Sequence, residues 1–138
     1  MNTDKRGLLH NRVTEKVLGA FFDVYNELGF GFLESVYVES LAIDLRTKGL
    51  QVDRQVSVPV WFRNQLVGTF RADLVVESVV IVELKAALSL DPSHEAQLLN
   101  YLRATEIEVG LLLNFGPKPQ FKRLIFDNER KKIRGHLR

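Results

Sequence analysis

The sequence predicts an α/β domain, a mixed five-stranded sheet with helices on its faces, and three observations carry that prediction. Apolar residues recur at helical spacing as far as about residue 48 and then alternate singly, so two helices precede a set of strands. The apolar run at 79–82 is typical of a central strand, and the run at 109–113 reads as a second buried one. Between them Asp91-Pro92 opens a helix, and a strand–helix–strand passage of this kind makes its two strands parallel through a right-handed crossover.

Taken in order, Val13, Val17, Phe21, Val24 and Leu28 mark a first helix, stopped at Gly29 and Gly31. A second helix runs from about Leu33 to Lys48 and ends at Gly49, a residue suited to a left-handed stop. Val52, Val56, Val58, Val60 and Phe62 alternate as a half-buried strand, Asn64-Gln65 turns, and Phe70, Ala72, Leu74 and Val76 alternate again. After a break at Glu77-Ser78 comes the run at 79–82, so these three strands form an antiparallel meander. The third helix has Asp91 as its capping oxygen and Pro92 at its first position, and it reaches about Thr105. Gly116-Pro117-Lys118-Pro119 then turns the chain, and residues 121–126 return as an antiparallel edge strand.

With 138 residues, no repeat and no long linker, residues 1–138 read as one domain. No apolar stretch approaches the roughly 20 residues of a membrane-spanning helix, and the polar start carries no signal-peptide run. The absence of cysteine excludes disulfides and thiolate metal sites. Cytoplasmic location is the resulting expectation. The net charge of +2 is unevenly placed: residues 129–138 form a basic tail of net +4, which leaves the rest at −2. Attraction for phosphate would therefore come from a local patch or from that tail, which also reads as plain solvated surface.

Glu83-Leu84-Lys85 carries the strongest chemical signal. Residues two apart on a strand share a face, so Glu83 and Lys85 point the same way at the end of a central strand. Burying such charges is costly unless they pair or bind something, although Glu-x-Lys also forms ordinary surface ion pairs. Asp73 lies on the preceding strand, on the face assigned to Arg71 and Val75. A three-residue loop at 77–79, or a bulge, pairs Val76 with Val80 and sets Asp73 opposite Glu83; a tight two-residue turn pairs Asp73 with Val82 instead. Two facing carboxylates repel unless a cation lies between them, and oxygen ligands suit magnesium or manganese. Glu34 shares a helical stripe with Tyr37, Val38, Leu41 and Leu45, which turns it inward or at least to the border of the buried face; the helix dipole also favours an acid there. On the third helix His94, Gln97 and Tyr101 share one side, with a core tyrosine and polar edge residues as the plain alternative.

Gly31-Phe-Leu-Glu34-Ser-Val-Tyr37 resembles the signature of the GxxExxY protein family. The resemblance continues through Arg71-Ala-Asp73, Ile81-Val-Glu83-Leu-Lys85-Ala, His94-Glu-Ala-Gln97-Leu-Leu-Asn-Tyr101 and Leu112-Leu-Asn114-Phe115-Gly116. That family is grouped with the PD-(D/E)xK nuclease-like superfamily, which implies a restriction-endonuclease-like three-layer α/β/α fold. It implies a magnesium site on Asp73, Glu83 and the Leu84 carbonyl, with Glu34 as a further acid and Lys85 aiding the attacking water or the phosphate. Gln97 and Tyr101 resemble the Q-x-x-x-Y helix motif of RecB-like nucleases, and His94 and Arg71 are weaker candidates for positioning substrate. Ala72 stands where proline often precedes the aspartate, and Tyr25 where the family often has histidine. The implied partner is nucleic acid, DNA before RNA, and the small surface of one domain allows a homodimer or larger complex. A non-catalytic binding or accessory module keeping the same fold is the competing expectation.

Overall fold

The computed structural model describes residues 10–131. Its elements are α1 (Asn11–Leu28), α2 (Glu34–Thr47), β1 (Val52–Phe62), β2 (Gln65–Val76), β3 (Val80–Lys85), α3 (Pro92–Arg103), β4 (Val109–Phe115) and β5 (Pro119–Ile125), followed by a short 3-10 turn at Asn128–Arg130. The sheet order is β1-β2-β3-β4-β5. Only β3 and β4 are parallel; the other neighbours are antiparallel. Among the described residues no helix is long and apolar enough to cross a membrane.

Helices lie on both faces of this sheet. On one side Val17, Phe21 and Val24 of α1 and Tyr37, Leu41 and Leu45 of α2 pack on Leu74, Val76, Val80, Val82, Leu84, Leu111 and Leu113. On the other, Leu98 and Leu102 of α3 cover Ala72, Val75, Ile81 and Leu112. The β3 run is buried throughout except at Lys85, as expected of a strand covered on both faces. Asp91 caps α3 by accepting from the Ser93 amide (2.8 Å) and the His94 amide (3.3 Å). His94 completes the exchange, its Nδ1 accepting from the Asp91 amide at 3.3 Å.

The turn between β2 and β3 meets the requirement set by the sequence in an unexpected way. Glu77 and Ser78 adopt φ of 53° and 58°, and the Val79 amide closes a tight turn on the Val76 carbonyl at 3.1 Å. Val79 is then an extra residue, so the pairing runs Val76↔Val80, Val75↔Ile81, Leu74↔Val82. Tight turn and bulge are both present, and the bulge sets the register.

The face assignment on β1 and β2 needs correction. Simple alternation puts Val52 with Val56, and Arg71 with Asp73 and Val75. Instead Val52 joins the α1/α2 core while Val56 packs on the α3 side. Likewise Leu74 and Val76 face α1 and α2, whereas Ala72 faces α3 and the Phe70 ring stacks on Tyr101 at 3.5 Å. Arg71 is exposed. The inversion falls at one level of the sheet: Arg54↔Leu74 and Val56↔Ala72 place Gln55 opposite Asp73, and Gln55 has φ 52°. A non-glycine residue in that region costs about 1–2 kcal/mol.

Of the basic tail, residues 132–138 lie outside those described. Lys131 is held by the α3–β4 loop, donating to the Thr105 and Ile107 carbonyls at 2.9 and 2.7 Å. Arg130 lies over the Phe126 ring at 4.3 Å.

A clasp holds the segment leaving β3. Asn114, fully buried, accepts from the Ala87 amide (2.9 Å) and donates to the Ala87 carbonyl (3.0 Å). Gly116 passes so close that a Cβ there would sit 2.3 Å from the Ala87 carbonyl oxygen. Gly116→Ala should therefore destabilise the fold by about 1–3 kcal/mol, read as a lower midpoint in urea at unchanged slope.

Candidate metal centre

Extending the β2–β3 register by one step sets Asp73 opposite Glu83. There the backbone ladder gives way to side chains. The Asp73 amide donates to Glu83 Oε2 at 2.8 Å, and the Leu84 amide donates to Asp73 Oδ2 at 2.9 Å. Each carboxylate thus spends one oxygen on the opposite strand and keeps the other. The N–H and C=O of one strand residue project to the same side, so the Leu84 carbonyl faces the gap that Asp73 occupies.

Glu34, the first residue of α2, approaches from the neighbouring helix and is exposed rather than turned into the core, because it stands at the open end of the helix ahead of the buried Tyr37. It is held by the loop before it, where Gly29 and Gly31 take φ of 68° and 115°. The Tyr37 hydroxyl donates to the Gly29 carbonyl at 2.7 Å and accepts from the Phe32 amide at 3.2 Å. The Tyr37 ring stacks on Phe115 at 4.2 Å. The glycine, the acid and the tyrosine of the Gly31-x-x-Glu34-x-x-Tyr37 pattern are therefore a loop turn, a presented carboxylate and the lock that fixes it. The Ala86 amide hydrogen-bonds the Glu34 carboxylate.

Lys85, half-buried, donates to Gln97 Oε1 at 3.4 Å, which ties the end of β3 to exposed Gln97 on α3. Tyr101 is half-buried against Phe70, close enough to Glu83 and Asp73 that burial and then their charges raise its phenol. His94 serves the α3 cap, near enough to Glu34 to act on it through space. Nothing draws Arg71 toward these groups, for the inversion at Asp73 leaves it exposed. Tyr25, whose role the sequence left open, donates to the Gly116 carbonyl at 2.6 Å and to the Pro117 carbonyl at 2.9 Å, fastening α1 to the β4–β5 turn. Two participants escaped sequence reasoning: Gln55, which carries no glycine signal for its left-handed backbone, and Asn114, whose only signal is a polar residue inside an apolar run.

The electrostatics follow from this crowding. Burial first, and then the Asp73 carboxylate, push Glu83 up to about 8; the Asp73 amide and Lys85 pull the other way. Burial also raises Asp73, against the Leu84 amide and Lys85. Glu34 is raised by partial burial, with Lys85 opposing and Asp73 reinforcing. Among the described residues no three His, Asp or Glu side chains converge as a ready cage for a metal ion. The oxygens that could hold one are those of two facing carboxylates and the Leu84 carbonyl, with Glu34 nearby. An all-oxygen set of this kind fits a hard divalent cation.

These shifts have a definite sign. Glu83 is ionised above about 4.5 when unfolded but holds its proton to about 8 when folded. Between those values the native state binds more protons, so stability falls as pH rises. Asp91, lowered by its cap, titrates below this window, and Lys48, raised by Asp23 and Asp44, above it. Asp73 and Glu34, also raised, act with the same sign, so the metal-free protein should lose stability from pH 4.5 to 8, and Glu83→Gln should reduce that slope, as urea denaturation at several pH values would show. An unchanged slope would contradict the assignment.

Comparisons with known proteins agree with this fold. The crystal structure of SSO0001 is similar in fold, with a TM-score of 0.55 and 18% sequence identity over 67% of this chain and 50% of that one. The chain thus spans half the length of that protein. No curated protein is significantly similar in sequence. Residues 11–124, which run from the start of α1 into β5 and include every acid described above, match the PD-(D/E)XK nuclease superfamily, and the chain belongs to that superfamily.

Proposed function

We propose that this chain is a magnesium-dependent nuclease hydrolysing phosphodiester bonds of DNA, with RNA as the alternative substrate, and that it acts in the cytoplasm. The observation that carries the reading is the pair Asp73 and Glu83, facing each other in place of the backbone ladder, with Lys85 two residues along the same strand. The free oxygens of Asp73 and Glu83 and the Leu84 carbonyl would hold the ion, with Glu34 as a further acid; manganese suits the same oxygens. When bound, the metal supplies Lewis-acid polarisation of the phosphate and a lowered pKa for water.

The chain's own groups do the rest. Lys85, steadied by Gln97, presents its ammonium beside the carboxylates, where it orients water or offsets charge on the phosphate. Tyr101 closes the wall beneath, braced by Phe70. His94 sets the start of α3 and lends positive charge toward Glu34 when protonated. Arg71, exposed on β2, serves only as an outlying phosphate contact. A homodimer or larger complex would widen the surface available for a long substrate.

One observation favours a second reading, a nucleic-acid-binding or accessory module without turnover: both carboxylates are already tied to backbone amides, and among the described residues no third side chain completes a cage. Cleavage of single- and double-stranded DNA with magnesium decides between them. Asp73→Ala and Lys85→Ala should each lower kcat by at least about 10²–10³-fold. Cleavage unaffected by both would refute the site, and no cleavage together with no manganese binding would favour the accessory reading.

A further inference from the structure

Beside the acids lies a cavity of about 240 Å³, lined by Phe30, Phe32, Ala86, Leu88, Phe115 and Pro117, among others. It shares a wall with the candidate centre, because Ala86 follows Lys85 and its amide holds Glu34. Its rim is apolar and open to solvent: Phe30 is 58% exposed, Phe32 48% and Leu88 86%. Its floor is Phe115, stacked on Tyr37 and lying against Tyr25 at 6.2 Å. No carboxylate lines it, and a cation adjoins two of its lining residues in the chain, Lys85 before Ala86 and exposed Lys118 after Pro117.

Exposed phenylalanines in a loop that could turn inward call for an explanation, and this loop is not free to turn. The Tyr37 hydroxyl ties its two ends, and Phe32 leans edge-on against the Tyr37 ring at 6.1 Å. The loop backbone and the Phe32 ring are therefore set in place before any ligand arrives, which lowers the entropic cost of using them. Flat apolar faces whose lining residues Ala86 and Pro117 are chain neighbours of Lys85 and Lys118, next to groups suited to a phosphodiester, match one kind of occupant: a base whose own strand runs past those lysines.

We infer that this cavity takes an unpaired nucleobase next to the scissile phosphate, stacked on Phe30 or Phe32, so that the substrate is single-stranded DNA or an unpaired nucleotide at an end or junction. The inference rests on the nuclease reading of the adjacent centre but is tested apart from turnover. The full chain, without metal, is titrated into short single-stranded DNA carrying one 2-aminopurine, whose fluorescence falls on stacking. Quenching should occur with single-stranded probe and not with the matching blunt duplex. Phe30→Leu together with Phe32→Leu, which keeps an apolar surface but removes the rings, should weaken binding roughly 5- to 100-fold. Phe62→Leu, at the β1–β2 hairpin tip, should leave binding unchanged. Quenching that survives loss of both rings, or is equal with duplex, overturns the inference, as does a dimer that the double variant disperses, which would assign the patch to a second copy. Quenching as expected in a protein that never cleaves would support the pocket while removing the nuclease reading.

Discussion

Where β2 and β3 part, two carboxylates take the places that backbone carbonyls would otherwise fill. Asp73 answers the Leu84 amide and Glu83 answers the Asp73 amide, so the ladder continues through side chains for one step. A buried amide left without a partner would cost about 1–3 kcal/mol, so this exchange is part of the fold as well as of the site. It also fixes the carboxylates at close range inside a covered sheet, where burial raises the proton affinity of both and the Asp73 charge raises that of Glu83 further. On the proposed nuclease reading this tension is what a metal would relieve: a divalent cation would take the place of the proton that Glu83 holds to about pH 8.

The surrounding structure serves to present more groups to that point. The bulge at Val79 sets the register that brings Asp73 across from Glu83. The left-handed Gln55, opposite Asp73, lets the β1–β2 arm turn over so that Phe70 and Ala72 pack against α3 while Leu74 faces α1 and α2. Tyr37, locked between the Gly29 carbonyl and the Phe32 amide, holds Glu34 at the start of α2. Asn114 and Gly116 clasp Ala87, and so govern the path of the residues just past Lys85.

Much of this is legible from residue order because the governing periods are short. The change from helical to alternating spacing locates the strands, the 79–82 and 109–113 runs identify the central pair, and Asp91-Pro92 announces α3. Glu83 and Lys85 share a face by strand period alone, and Glu34 falls on the Tyr37 stripe. What was hidden depends on backbone states that the side chains do not advertise. Gln55 adopts φ 52° without being glycine, asparagine or aspartate, so the inversion at Asp73 and the loss of Arg71 from its face could not be read from alternation. The turn at Glu77-Ser78 looks equally able to give either register, and only the extra residue at Val79 settles it. The clasp by Asn114 joins residues 27 apart and has no local signature.

The claim on which all of this depends is that Glu83 is held in a buried carboxylate pair whose charge awaits a cation. A carboxyl NMR titration of the metal-free protein, repeated with magnesium, addresses it directly. Glu83 should titrate near pH 8 without metal and at lower pH once magnesium is added. Titration at the ordinary value of about 4.5 without metal, or a midpoint indifferent to magnesium, would contradict it.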